Sequence, residues 1–243
     1  MGIVTTIPER CKRCYVCVRE CPAKAIKVIH GQATVIQEQC IVCGNCVKVC
    51  AQAAKRIEDS TMLVKHMLKG SQRIFACLAP SFPVAFQPAD PGKVISAVRK
   101  LGFSDVWEVA FGAELISREY TKLFKEALQT GRYVISTPCP AIVSYVEKYL
   151  PSLHDDLAPI ASPMIAVARA IRERFGSSVR IVFIGPCIAK KNEIRDPMVQ
   201  GTVDAVLTYP ELSELWTRRS VAPASLEPTE PDPPRAGLGR LYP

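Results

Sequence analysis

The chain has 243 residues, of which 48% are hydrophobic, with a formal net charge of +8 and 11 cysteines. This length is enough for one sizeable α/β domain and a small additional module. No apolar run approaches the length of a membrane span and no signal peptide opens the sequence, so we expect a cytoplasmic protein without a membrane partner. Cysteine-rich chains without an export signal use their thiols for metal rather than for disulfides. Basic runs interleaved with aromatic residues are missing, so we expect no nucleic-acid partner.

Residues 1–57 contain the strongest pattern of the chain, a tandem repeat of one cysteine spacing. Each repeat reads Cys-x2-Cys-x2-Cys-x3-Cys, a run that is typical of 4Fe-4S cluster binding. The first repeat contains Cys11, Cys14, Cys17 and Cys21, and the second contains Cys40, Cys43, Cys46 and Cys50. The alternatives are zinc-binding CxxC pairs, or clusters with a purely structural role. The triple spacing, present twice, favours iron and sulfur over zinc.

Between the two runs, residues 25–29 and 32–36 flank His30 and Gly31 and predict a short β-hairpin. A module this small has little core, so the clusters must help to keep it folded. The module resembles bacterial two-cluster ferredoxins, and the resemblance implies one-electron transfer at low potential. In such ferredoxins the fourth cysteine of each run binds the other cluster. The implied ligand sets are Cys11, Cys14, Cys17 and Cys50 for one cluster, and Cys40, Cys43, Cys46 and Cys21 for the other.

After the cysteine repeats, residues 58–72 form a predicted linker, with a helix at 60–69, Ser60 as its candidate N-cap and Gly70 just past its end. Strand-like and helix-like segments then alternate over residues 73–221. We predict strands at 73–78, 105–109, 133–136, 179–184 and 203–207, and helices at 93–100, 114–129, 141–149, 164–175 and 211–219. The predicted fold is therefore an α+β ferredoxin-like module followed by an α/β domain with a mostly parallel sheet.

Unusual residues collect where three of the predicted strands end. The segments are Ala79-Pro80-Ser81, Ser136-Thr137-Pro138-Cys139-Pro140, and Gly185-Pro186-Cys187 with Lys190 and Glu193 behind it. Ligands of open α/β sheets gather at strand ends, and a helix N-terminus favours the thiolate. Cys139 and Cys187 are therefore candidates for one shared site beside Lys190. The alternative for Lys190 is a solvated surface charge, and Cys77, inside an apolar strand, is by default a buried, inert thiol.

At these segments the chain resembles the large subunit of FeFe-hydrogenases. Cys187, Lys190 and Glu193 fit the second signature of that family, Pro-Cys-x-x-Lys-x-x-Glu. The segment around Cys139 is similar to the first signature, Thr-Ser-Cys-Cys-Pro, and the resemblance covers roughly residues 1–220. It implies that residues 73–221 are an incomplete FeFe-hydrogenase catalytic domain.

The same resemblance implies roles for individual residues. Cys139 and Cys187 would be two of the four thiolates that hold a hydrogen-activating cluster, a 4Fe-4S cubane joined to a two-iron subsite. Pro80, Ser81 and Lys190 would touch the diatomic ligands of that cluster. Lys190 and Glu193 would be the catalytic residues, with Glu193 as a member of the proton relay.

Several positions depart from the family pattern. Active members carry a proton-passing thiol directly before the first ligand, where this chain has Pro138, and Tyr120 and Leu123 stand in place of two relay carboxylates. Met164 and Gly185 replace a glutamine and a methionine. These changes resemble a sensory branch of the family, in which turnover is slow and the output is a signal.

The third family signature, which supplies two more cysteine ligands, is missing because no cysteine follows Cys187. Residues 222–243 contain six prolines and are predicted to form a disordered or extended tail. We therefore predict a truncated or partial gene product, and we expect the hydrogen-activating cluster only in a longer chain.

Three hypotheses follow from these observations. The first is an iron-sulfur redox protein of the FeFe-hydrogenase family, inactive in hydrogen turnover as this chain; an active full-length form would be a hydrogen:ferredoxin-type oxidoreductase. The second is a ferredoxin-type electron-transfer module with an α/β docking scaffold, and the third is a metal-free interaction domain. The first two predict a redox partner such as a ferredoxin, and a sensory role adds a signalling partner or domain.

Overall fold

The structure, a computed structural model, describes residues 2–234, 236, 237 and 239. The strands formed by these residues are β1 (Val4–Thr6), β2 (Ile26–Ile29), β3 (Gln32–Val35), β4 (Lys55–Ile57), β5 (Ile74–Leu78), β6 (Asp105–Glu108), β7 (Arg180–Gly185) and β8 (Ala205–Thr208). The α-helices are α1 (Val16–Arg19), α2 (Asn45–Lys48), α3 (Thr61–Met67), α4 (Phe82–Ala85), α5 (Pro91–Lys100), α6 (Val109–Thr130), α7 (Pro140–Tyr149), α8 (Pro163–Phe175), α9 (Lys190–Glu193) and α10 (Tyr209–Arg218). Within the described residues, no helix has both the length and the hydrophobicity to cross a membrane.

The chain divides into two compact units that differ from the predicted contiguous domains. The first unit contains the chain up to Glu58 together with Ile135–Leu157 and Cys187–Glu193. The second contains Asp59–Val134, Ala158–Pro186 and the described residues from Ile194 onward. Two segments that the sequence assigned to the α/β domain therefore belong to the unit that carries the cysteine repeats.

The first unit is built on two small antiparallel ladders. β1 pairs with β4, and β2 pairs with β3 in the predicted hairpin. His30 and Gly31 form the hairpin turn with φ values of 49° and 74°, the left-handed conformation that a tight two-residue turn requires. The core of this unit joins the cysteine repeats to the two later segments, and it includes Ile3, Val4, Ile26, Val35, Ile41, Val42, Ala141, Ile188 and Ala189. Burial of these side chains is the physical reason for the non-contiguous boundaries.

The second unit contains a four-stranded parallel sheet with the strand order β6-β5-β7-β8. All residues of β5 are buried, and those of β7 after Arg180 are too, as expected for parallel strands covered on both faces. Trp107 on β6 packs against Phe75 and Phe175, with ring centroids 6.1 and 6.0 Å away. The prediction of a mostly parallel sheet is confirmed.

The predicted strand at 133–136 is wrong. Within this stretch only Ile135 forms a bridge, to Leu157, and Tyr133 is 84% exposed. The apolar run is only four residues long, so its pattern does not distinguish a strand from an extended loop. The helix predicted at 114–129 is longer, since α6 begins at Val109 and ends at Thr130, with Gly131 as its C-cap.

The Ser60 side chain does not cap α3 as predicted. Instead the Asp59 carboxylate accepts a hydrogen bond from the Thr61 amide at 2.7 Å. The Ser60 amide donates to Glu211 Oε1 at 2.7 Å, and Glu211 also completes a capping box with Thr208 at the start of α10. The buried Glu211 carboxylate thus accepts hydrogen bonds at the N-termini of both α3 and α10.

Residues 226–232 of the proline-rich tail are extended after a short 3-10 turn at Pro223–Ser225, and they are held against the sheet. Asp232 exchanges hydrogen bonds with the Val106 amide and carbonyl at 2.7 and 2.8 Å, and it pairs with Arg99 at 2.8 Å. The tail therefore satisfies backbone groups on the free edge of β6, which protects that edge from pairing with another chain. The described residues do not support the disordered alternative.

Gly112 on α6 is expected to tolerate no larger side chain. A Cβ at this position would lie 2.1 Å from the carbonyl oxygen of Pro163, on the backbone of α8. Gly112→Ala should therefore lower the free energy of unfolding by about 1–3 kcal/mol because the two helices must separate. Urea unfolding followed by circular dichroism measures the change, with Ser117→Ala at an exposed position of the same helix as the control. Equal urea midpoints for Gly112→Ala and Ser117→Ala would show that the two helices separate without loss of stability.

Candidate cluster-binding site

The two cysteine repeats adopt the same backbone path. In each repeat, the residues directly before and after the second cysteine have a left-handed backbone conformation. A third left-handed residue lies three positions after the fourth cysteine. The equivalent pairs are Arg13 and Val42 (φ 57° and 55°), Tyr15 and Gly44 (58° and 81°), and Lys24 and Ala53 (49° and 45°). A positive φ is a genuine outlier for a β-branched residue such as Val42. Backbone strain of this kind persists where the fold shapes a functional site.

Each repeat loop closes a cavity that it shares with the fourth cysteine of the other repeat. The first cavity is lined by four cysteines: Cys11, Cys14, Cys17 and Cys50. The second is lined by Cys21, Cys40, Cys43 and Cys46. The fourth cysteine of each repeat therefore lines the cavity of the other repeat, which is the grouping that the resemblance to two-cluster ferredoxins implies.

Backbone amides point at the sulfur atoms of both cavities. The Ala25 amide donates to Cys21 Sγ and the Ala54 amide donates to Cys50 Sγ, each at 3.3 Å. The Val42 amide donates to Cys40 Sγ at 3.4 Å. Hydrogen bonds to cluster sulfur stabilise negative charge and set the reduction potential.

Burial disfavours free thiolates in these cavities. It raises the pKa of the Cys17 and Cys40 thiols, and it raises the pKa of Cys46 to about 11. The Lys55 ammonium opposes the effect of burial on both Cys17 and Cys46. Metal binding must therefore displace protons from these thiols, and the bound cations then compensate the buried negative charge.

The donor set fits 4Fe-4S clusters. Four cysteines line each cavity, and in a cubane each thiolate binds a different iron atom at a separate corner. Within the described part of the chain, no three Cys, His, Asp or Glu side chains lie close enough together to hold a single metal ion. A structural zinc site needs four ligands around one ion, whereas a cubane does not require that convergence.

Cys139 lies at the N-cap of α7, where Pro140 begins the helix. The Cys139 side chain is exposed and makes no capping hydrogen bond. Cys187 follows β7 and is partly buried against the core of the first unit. Both thiols thus belong to the unit that carries the cysteine repeats.

Lys190 on α9 is buried, so the alternative of a solvated surface charge is wrong. Its Nζ pairs with Glu193 Oε2 at 2.7 Å and donates to the Pro138 carbonyl oxygen at 3.0 Å. The side chains of Lys190 and Glu193 are only 9% and 14% exposed. Lys190 therefore fastens the segment before Cys139 to the helix after Cys187.

Pro80 and Ser81, the other predicted cofactor contacts, belong to the second unit and follow β5. The Ser81 hydroxyl lies 2.8 Å from the hydroxyl of Tyr209. Burial raises the pKa of Tyr209 to about 12, and the hydrogen bond with Ser81 partly opposes that effect. Cys77 on β5 is buried as predicted, and burial raises its pKa to about 12.

Two protein-family models match this chain and identify the family to which it belongs. The family model described as iron only hydrogenase large subunit, C-terminal domain, matches residues 72–243. The chain belongs to the iron-only hydrogenase large-subunit family. A second model, a 4Fe-4S dicluster domain, matches residues 3–51. The resemblance to FeFe-hydrogenases and to two-cluster ferredoxins is therefore confirmed.

Individual hydrogenases share the same stretch of sequence and fold. Iron hydrogenase 1 of Clostridium pasteurianum is 28% identical over 204 residues, which cover 74% of this chain and 36% of that protein. The periplasmic [Fe] hydrogenase large subunit of Nitratidesulfovibrio vulgaris is 28% identical, covering 72% of this chain and 45% of that subunit. The FeFe-hydrogenase HydA1 of Chlamydomonas reinhardtii, solved as a variant, superposes with a TM-score of 0.64 at 22% identity, over 74% of this chain and 52% of that one. The chain spans about half or less of the length of these relatives.

The hydrogen-activating cluster of this family does not fit the residues present here. The family resemblance calls for four thiolates at that cluster, and this sequence supplies Cys139 and Cys187 with no cysteine after them. The other two ligands would have to come from elsewhere, so no hydrogen chemistry is assigned to these two thiols alone.

Two departures from the hydrogenase pattern have a packing explanation. A Cβ on Gly185 would lie 2.6 Å from the ring of Phe183 and 2.9 Å from the Cβ of Ala79, so Phe183 occupies the space of a larger side chain. Met164 on α8 is fully buried in the core of the second unit. Both positions are therefore used for packing in this chain.

Three residues of the site were not found from the sequence: Lys55, Lys148 and Tyr149. Lys55 is buried beside the first cavity. Lys148 Nζ donates to the Cys40 carbonyl oxygen and the Tyr149 hydroxyl donates to the Gln39 carbonyl oxygen, each at 2.8 Å. A comparison of the two repeats reveals Lys55, because the equivalent residue of the first repeat is the apolar Ile26. The α7 contacts leave no sequence signal, since they join residues more than 100 positions apart.

Proposed function

We propose that this chain is an electron-transfer protein of the iron-only hydrogenase family that does not turn over hydrogen by itself. The observation that supports the proposal best is the pair of cavities, each lined by four cysteines drawn from both repeats. When bound there, two 4Fe-4S clusters supply one-electron transfer at low potential. The remainder of the first unit positions Cys139 and Cys187 relative to the second cavity.

Contacts inside the first unit support this positioning role. Ile188 lies against Gly44, with its Cδ1 3.3 Å from the place where a Cβ on Gly44 would be. Lys148 and Tyr149, at the end of α7, hold the carbonyl groups of Cys40 and Gln39. The helix that follows Cys139 and the turn that contains Cys187 are thus both fixed to the loop that carries Cys40, Cys43 and Cys46. This arrangement favours the second cavity as the neighbour of the Cys139 and Cys187 site.

The partner that we propose is an acidic redox protein such as a ferredoxin. Residues 1–57 contain nine Lys or Arg residues against three Glu, and such an excess attracts partners of opposite charge. Cys14 of the first cavity is exposed, so a cluster held there would be open to a docked partner. A reducing cytoplasm is the compartment that we propose, because the sequence devotes most of its cysteines to metal.

We further propose that the complete protein is sensory, with a signalling partner or domain as its output. Pro138 offers no proton where active hydrogenases have a thiol, and Glu193 is engaged by Lys190 rather than available to a relay. Slow turnover follows from both features, and slow turnover suits a protein whose product is a signal.

Iron and sulfide analysis of the anaerobically reconstituted chain tests the central proposal. We expect about eight iron atoms per chain and, after reduction, two interacting S = 1/2 signals in the EPR spectrum. We expect no hydrogen oxidation or evolution by this chain. The absence of bound iron would overturn the electron-transfer role, and rapid hydrogen oxidation would overturn the assignment of inactivity.

A pure electron-transfer module with an α/β docking scaffold is the second candidate. The exposed Cys139 and the lack of any cysteine after Cys187 favour it. Co-expression of a longer chain with the maturation proteins of hydrogenases separates the two candidates. Carbonyl and cyanide bands in the infrared spectrum support the hydrogenase-type role, and their absence from an iron-loaded protein supports the scaffold.

A further inference from the structure

Lys55 breaks the internal symmetry of the cysteine repeats. It lies five residues after Cys50, and the equivalent position, five residues after Cys21, is Ile26. Both side chains are buried, with 7% exposure for Lys55 and 4% for Ile26. The fold therefore accepts an apolar side chain at this position, and the second repeat has a charged one instead.

The Lys55 ammonium has only neutral partners within the part of the chain that the structure describes. Its Nζ donates to Thr6 Oγ1 at 2.7 Å and to the Ala33 carbonyl oxygen at 3.3 Å. A buried cation without a counter-ion is costly. An anionic group close by would remove that cost.

The first cavity is such a place. Lys55 lines it together with Cys11, Cys17 and Cys50. Thr6 and Ala33, which accept the hydrogen bonds of the Lys55 ammonium, line the same cavity. Among the described residues, the lining of the second cavity does not include Lys55, so the cation belongs to the first site.

We propose that Lys55 is a redox-tuning cation of the first cluster site, whose positive charge makes one-electron reduction of the cluster held there more favourable. The inference rests on the proposed electron-transfer role. The cluster takes one electron from the reductant, dithionite, and no bond to Lys55 forms or breaks. Because the ammonium is buried, its effect should persist at high ionic strength.

The test compares Lys55→Met with Lys55→Arg in the anaerobically reconstituted full chain. Midpoint potentials of both clusters are measured by EPR-monitored titration with dithionite. Lys55→Met should make reduction of the cluster in the first cavity about tenfold less favourable, which is about 59 mV for a one-electron couple, and should shift the cluster in the second cavity less. Lys55→Arg keeps the charge and should restore values close to those of the unmodified chain. Lys27→Gln removes an equal charge from the exposed face of β2 and is the matched control.

Iron content separates the possible failures. If the unmodified chain binds no iron, the proposed function fails. If the clusters are bound and Lys55→Met shifts the potential of the first cluster no more than Lys27→Gln does, only this inference fails. An equal or larger shift of the cluster in the second cavity would overturn the assignment of Lys55 to the first site. Lys55→Gln, whose amide still donates hydrogen bonds to Thr6 and Ala33, must give the same shift, so the conclusion does not depend on the folding of one variant. A shift that disappears in high salt would place the charge at the surface and would also overturn the inference.

Discussion

A chain with Cys14 and Cys50 both replaced by serine is expected to keep about four of its roughly eight iron atoms. Both residues line the first cavity, so the double variant removes two ligands from one cluster and none from the other. Replacing Cys14 and Cys21 also removes two cysteines, but one from each cavity. That second variant should leave both clusters incomplete and lose most of its iron, although Cys14 and Cys21 belong to the same repeat in the sequence.

The comparison distinguishes shared cavities from independent repeats. Iron and sulfide content gives the number of clusters, and the EPR spectrum of the reduced Cys14→Ser/Cys50→Ser chain should show one S = 1/2 signal without magnetic interaction. Cys77→Ser is a matched control because Cys77 is buried in β5 of the other unit and should leave the iron content unchanged. If the Cys14→Ser/Cys21→Ser chain keeps an intact cluster and the Cys14→Ser/Cys50→Ser chain loses both, each repeat holds its own cluster.

The cluster cavities could be predicted from the sequence because the relevant information is local. Three cysteines of each cavity lie within seven residues of one another, and the resemblance to two-cluster ferredoxins implies the fourth. The hairpin turn at His30 and Gly31 is equally local, and so are the buried strands of the parallel sheet. In all these places the chemistry of neighbouring residues dictates the backbone.

The unit boundaries could not be predicted because they depend on contacts between distant segments. Ala141 and Ile188 are ordinary apolar residues in the sequence, yet they are buried against the core of the first unit. The strand predicted at 133–136 fails as well: the boundary between the units falls after Val134, and Ile135 forms only an isolated bridge, to Leu157. Burial of the Lys190 charge also depends on distant contacts, because a lysine that is buried in the fold looks like a surface lysine in the sequence.

Replacing Lys190 by methionine is expected to destabilise the first unit by about 3–5 kcal/mol. The substitution leaves the Glu193 carboxylate, only 14% exposed, without its cation and the Pro138 carbonyl without its donor. Hydrogen exchange of the cluster-loaded chain is the appropriate measurement, because it reports local opening without complete unfolding. Amides of α7 and α9 should lose protection by a factor of about 100 or more.

Two further variants separate the ion pair from the loss of one lysine. Lys148→Met removes an exposed lysine of the same unit that makes one hydrogen bond, to Cys40, and should cost about 0.5–1.5 kcal/mol. In Lys190→Met/Glu193→Gln the uncompensated charge is gone, so much of the lost protection should return, and the two substitutions should be strongly non-additive. The effects of the two substitutions on amide protection could be additive, or Lys190→Met could lose no more protection than Lys148→Met. Either result would show that the pair does not hold Cys139 and Cys187 in place. Lys190 would then be free for the ligand contact that the hydrogenase resemblance gives it.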